Sequence, residues 1–92
     1  MKYVMLGKQS DEWLTRHDER KRLALAKADE LGITFQSILY TQGSYDFVDV
    51  ADAPTPEAML NFSVWYVKQG FGSFQSLPAF DDAAMAAASK QE

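Results

Sequence analysis

The chain has no cysteine, only three prolines and one histidine, and no long apolar run. Without thiols, neither a disulfide framework nor a thiolate metal site is available, which fits a cytoplasmic protein. The single histidine, His17, has no cysteine to complete a ligand set, so no metal is expected. A solvated place on a helix face or linker is the simpler reading than a haem ligand, and no cofactor is called for. The opening MKYVMLGKQS is too short in apolar residues for a signal peptide, and no stretch is suited to span a membrane. Basic charge is also scarce. Nine Lys and Arg stand against thirteen Asp and Glu, a formal net charge of −4. That balance lacks the long-range attraction on which nucleic-acid affinity rests, so nucleic acid is not an expected partner.

What the chain has in quantity is apolar surface. Its 92 residues suit one domain, yet 47% are hydrophobic, with six Phe, four Tyr and two Trp. A domain of this size buries only roughly 60–65% of the surface of its unfolded chain. Apolar surface left outside a small core commonly meets a partner subunit or a ligand. Self-association, as a homodimer or a higher oligomer, and a small apolar or aromatic ligand are therefore the expected partners.

Residues 2–6, KYVML, read as a short strand that stops at Gly7. Ser10 is placed to cap a helix whose first turn carries Asp11 and Glu12, and the helical pattern runs to Leu31 before Gly32. Leu14, Leu23, Ala24, Ala28 and Leu31 supply its apolar stripe, with a break or kink allowed at TRHD, residues 15–18. ITFQSILY (33–40) and YDFVDVA (45–51) have strand composition, joined by a short Gly-containing turn. Thr55, Pro56 and Glu57 then form a strong helix-start signal, and Met59, Phe62 and Tyr66 recur at helical spacing up to Gly70. GSFQSL (72–77) is the last strand. Residues 1–80 thus form the domain, and 81–92 an alanine-rich tail with a helix starting near Asp81.

This order predicts an α+β fold, a ferredoxin-like βαββαβ sandwich with a four-stranded antiparallel sheet and two helices on one face. Strict alternation divides residues 33–40 into Ile33, Phe35, Ser37, Leu39 and Thr34, Gln36, Ile38, Tyr40. It groups Tyr45, Phe47 and Asp49 against Asp46, Val48 and Val50. Neither face is wholly polar, so dimerisation through the open sheet face is expected.

The stretches KYVMLGK, LYTQGSYDFVDVADAP and SLPAF, in that order, resemble the GYD-domain family, with Gly43, Tyr45 and Asp46 matching its signature around an interposed Ser44. The resemblance spans roughly residues 2–80. It implies the dimeric α/β-barrel group of ferredoxin-like folds, whose members include cofactor-independent oxygenases, haem binders and small-molecule binders. It carries over no catalytic set. Asp49 departs from the small or apolar residue expected at its place.

The candidate ligand-binding residues are Tyr45, Asp46, Phe47, Asp49 and Trp65. Asp46 reads either as a cleft carboxylate or, more simply, as an acceptor for backbone N–H groups that fixes the hairpin. Asp46 and Asp49, three apart on a strand, point to opposite faces and form no dyad. Asp49 among aromatics on the open face reads as a wetter or functional patch. The RHDERKR run (16–22) reads as a solvated face with Glu12–Arg16 and Asp18–Arg22 pairs, anion binding by Arg16 and Arg20 being the alternative. Three functions follow: a non-catalytic or accessory small-molecule-binding homodimer, a cofactor-independent enzyme using Tyr45, Asp46 or Asp49 for protons, or a structural interaction module.

Overall fold

The structure is a computed structural model that describes residues 1–90; residues 91 and 92 of the expected tail lie outside the described residues. Four strands, β1 (Lys2–Gln9), β2 (Thr34–Tyr40), β3 (Phe47–Asp52) and β4 (Gly72–Pro78), alternate with helices α1 (His17–Glu30), α2 (Pro56–Lys68) and α3 (Asp82–Ser89). The strands form one antiparallel sheet in the order β2-β3-β1-β4. α1 and α2 pack on one face, where Tyr3, Met5, Phe47 and Ala51 meet Ala24, Ala28, Met59, Phe62 and Tyr66 in the core.

α2 forms as its start signal predicts: the Thr55 side chain accepts the Ala58 N–H at 3.1 Å and Pro56 takes the first helical position. α1 differs. Ser10 caps nothing; its hydroxyl donates to the Gly70 carbonyl at 2.7 Å. A 3₁₀ turn, Asp11–Trp13, instead drops Trp13 edge-on against Phe71, with ring centroids 4.5 Å apart. The helix proper starts only at His17, after the poor helix formers around Arg16. Leu14 is consequently exposed and outside the stripe, and Glu12 cannot form its i,i+4 pair. Arg16 bonds Glu19 at 2.8 Å and lies over the Trp13 ring.

Two further differences bear on the site. β1 does not stop at Gly7 but runs through it, because Gly7 pairs with Phe47 and the Phe47 ring occupies the space its side chain would fill. β2 carries a bulge between Phe35 and Ser37, where the register slips at Gln36. One extra residue reverses the alternation beyond it. Phe35 faces the helices with Ile38 and Tyr40, which pair with Asp49 and Phe47, while Ser37 and Leu39 pair with the outward Val50 and Val48.

On the open face, two cross-strand rows result, Leu39–Val48–Leu6–Gln75 and Ser37–Val50–Val4–Leu77. Six of these eight residues are apolar. The face is rimmed by Lys2, Asp52 and Lys8, with Gln36 bonded to the Asp52 carboxylate.

Candidate functional site

The five residues singled out from the sequence occupy four places. Tyr45 precedes β3 and lies over the open face beside Leu6, Lys8, Ser73 and Gln75, its hydroxyl accepting a long 3.4 Å bond from Gln75. It does not share a face with Phe47 and Asp49, because the loop turns before β3 begins. Asp46 closes the hairpin through its carbonyl, which accepts the Thr41 N–H at 2.9 Å. It also ties the loop to β1: its N–H donates to the Gly7 carbonyl at 2.7 Å, and its Oδ2 accepts the Gln9 N–H at 2.8 Å. Trp65 is half-buried, stacked on Phe62 at 6.0 Å, and lines a groove between α1 and α2.

Phe47 and Asp49 alone come together, and not on the open face. Asp49 is 7% exposed beneath the helices, an outcome opposite to its expected place on the outer patch. The reason is the inward set of β3: Phe47, Asp49 and Ala51 point to the core, so an acid between two buried apolar neighbours is carried inside with them.

There Asp49 lines a cavity of about 30 Å³, the space of a single water, walled by Met5, Phe35, Phe47, Phe62 and Phe74. Lys21, Leu25, Ile38 and Tyr40 form its outer side between α1 and β2. Asp49 Oδ1 is buried with no hydrogen-bond partner among the described residues. An unmet buried acceptor is costly, and the cost falls mostly on the charged form. Burial pushes the Asp49 carboxyl up to about 6, although the Leu39 N–H and the Arg20 charge draw it back.

The cation is the part that sequence reasoning missed. Arg20, assigned to a solvated charge run, is buried; its Nη1 donates to the Tyr66 hydroxyl at 3.0 Å. With its amide oxygen turned inward, Gln9 accepts from Arg20 Nε at 2.8 Å and Nη2 at 2.7 Å. A signal existed: Arg20 precedes the buried Ala24 and Ala28 by four and eight residues, so it lies on the apolar stripe. Tyr66, expected in the core, is there with a polar role as well. Burial raises its pKa, with Arg20 opposing, so its hydroxyl keeps its proton.

The site thus sets an unspent carboxylate oxygen, a neutral phenol and a fixed guanidinium in an aromatic wall. It can accept one hydrogen bond at Asp49 and offer one at Tyr66. His17 stands outside, its ring edge-on to Tyr40 at 5.0 Å, and no group of three His, Asp or Glu among the described residues is placed to hold a metal ion. No helix among the described residues is long and apolar enough to cross a membrane.

In comparison with known proteins, the GYD domain family profile aligns with residues 3–88, nearly the whole chain. No curated protein and no solved structure matches.

Proposed function

The chain belongs to the GYD domain family, and from that premise we propose that it is a non-catalytic, cytoplasmic small-molecule-binding homodimer whose ligand site is the cavity of Asp49, Arg20 and Tyr66. The observation that carries this reading is the unpartnered Asp49 Oδ1 inside an aromatic enclosure. A ligand that fits is a small aromatic bearing one hydroxyl or amino group. It donates to Asp49, accepts from Tyr66 and lays its ring on Phe35, Phe47 and Phe62. At about 30 Å³ the cavity has room for little more than water, so binding requires the surface side chains Leu25 and Tyr40 to swing outward. Strand order β2-β3-β1-β4 with α1 and α2 on one face supports the ferredoxin-like reading. The six apolar residues of the open face support pairing of two sheets.

The test is a titration with p-cresol and p-toluidine followed by amide chemical shifts. Saturable shifts centred on Leu39, Asp49 and Tyr66, lost in Asp49→Ala, are expected. Shifts confined to the open sheet face, or no saturation, count against the site. The second reading, an enzyme using Asp49 as proton acceptor, is favoured by its pKa near 6, close to neutral. In that case Asp49→Asn loses turnover but keeps binding.

A further inference from the structure

α3 is the one helix of the described residues that buries none of its side chains. It follows β4 after three residues, capped by Asp81, whose side chain accepts the Ala84 N–H at 2.8 Å. An eight-residue helix is too short to hold itself in water without packing. Yet Phe80 is 77% and Met85 66% exposed. The arm also stretches the molecule: the radius of gyration is 14.5 Å, against about 12 Å for a compact chain of this length.

On the outer side of the helical layer lies a surface of the opposite kind. Leu31, Leu60, Val64 and Trp65 line a groove of about 370 Å³ between α1 and α2, rimmed by Lys27 and Lys68. Leu60 is 62% exposed. Lys27 bridges Glu30 at 3.3 Å, an exposed pair that is weakly held and readily exchanged. The groove offers apolar floor and positive rim; the arm offers Phe80, Met85 and a run of alanines behind Asp81 and Asp82.

We propose that the arm, residues 80–89, docks in the α1–α2 groove of a second copy of this chain. Phe80 and Met85 enter the apolar floor, and Asp81 and Asp82 meet Lys68 and Lys27. The chain's own groove is a poor target. Residues 79–81 reach at most about 10 Å, short of the roughly 15 Å from a sheet to the outer side of a helix packed on it. Because the groove faces away from the open sheet face, the contact is separate from sheet pairing. It joins copies beyond a sheet-paired dimer.

The test uses two full-length variants. Phe80→Ser with Met85→Ser disables the arm and leaves the groove; Leu60→Glu with Val64→Glu disables the groove and leaves the arm. All four positions are surface ones, and circular dichroism checks folding. By native mass spectrometry over a concentration series, each variant alone is expected to associate at least tenfold more weakly than wild type. Mixing the two is expected to restore mixed complexes larger than either variant forms alone, through the one intact arm–groove pair. A charge exchange provides a second check: Lys27→Asp and Asp82→Lys each weaken association, and together they recover it. Equal masses for wild type and both variants, or a mixture that forms nothing larger than either variant alone, overturn the proposal. So does solvent protection of the arm at every concentration without a change of mass, which identifies docking within one chain.

Discussion

Asp46 and Asp49 stand three residues apart, and their surroundings could hardly differ more. Asp46 lies at the rim, where its carboxylate accepts a backbone N–H from β1 and its own N–H and carbonyl serve the same junction. Asp49 lies in the core with an oxygen that no described residue satisfies. The first carboxylate completes a fold. The second keeps a buried oxygen without a protein partner, and on that oxygen the proposed ligand site rests. Within the Gly43, Tyr45 and Asp46 signature, Asp46 therefore belongs with the hairpin's attachment to β1, while the residues of the proposed ligand site lie outside the signature.

The contrast can be broken most severely at Arg20. Arg20→Met strands the Tyr66 hydroxyl and the Gln9 amide and removes the positive charge near Asp49. A loss of about 3 kcal/mol is expected, read as a fall in the urea midpoint. A loss below about 1 kcal/mol places the guanidinium in water and removes the polar cluster.

Next in size is the pH dependence at Asp49. Its carboxyl titrates near 6 in the fold against an ordinary 3.8, so the folded state holds the proton more tightly than the unfolded one. The stability this contributes is fully present below pH 4 and is lost as pH rises through 6. Relative to Asp49→Asn, which lacks the titration, the wild type is expected to lose about 2 kcal/mol between pH 4 and 7. Parallel stability curves for the two proteins would contradict the buried placement.

Asp46 gives the smallest effect. Asp46→Ala leaves the Gln9 N–H without its acceptor and costs about 1.5 kcal/mol, whereas Asp46→Asn keeps an acceptor oxygen and recovers most of it. If Asn is as damaging as Ala, the charge matters there and the rim carboxylate has a second role.

Much of the fold was legible because local chemistry and burial agree along most of the chain. Thr55-Pro56-Glu57 starts α2, Gly32 and Gly70 follow the two long helices at positive φ, and Asp81 caps α3, all without help from distant residues. The errors fall where a distant partner decides. Gly7 reads as a stop until the Phe47 ring is laid over it. Ser10 reads as a cap until the Gly70 carbonyl takes its hydroxyl. The bulge at Gln36 leaves no mark in composition, yet it brings Phe35, Ile38 and Tyr40 to the same side of the sheet.

The same division holds for the candidate site. The sequence alone determined that the chain is one small α+β unit with more apolar surface than its core can hide. It also marked Phe47 and Asp49 as neighbours on one face of a strand, because periods of two and 3.6 residues and capping groups act within a few residues. Only the tertiary structure decided that this face is the covered one. It also decided that Arg20 turns inward to Tyr66 and Gln9, and that Asp46 faces the end of β1. Those outcomes depend on which face of the sheet the helices cover, and that is a property of the packed whole rather than of any short stretch.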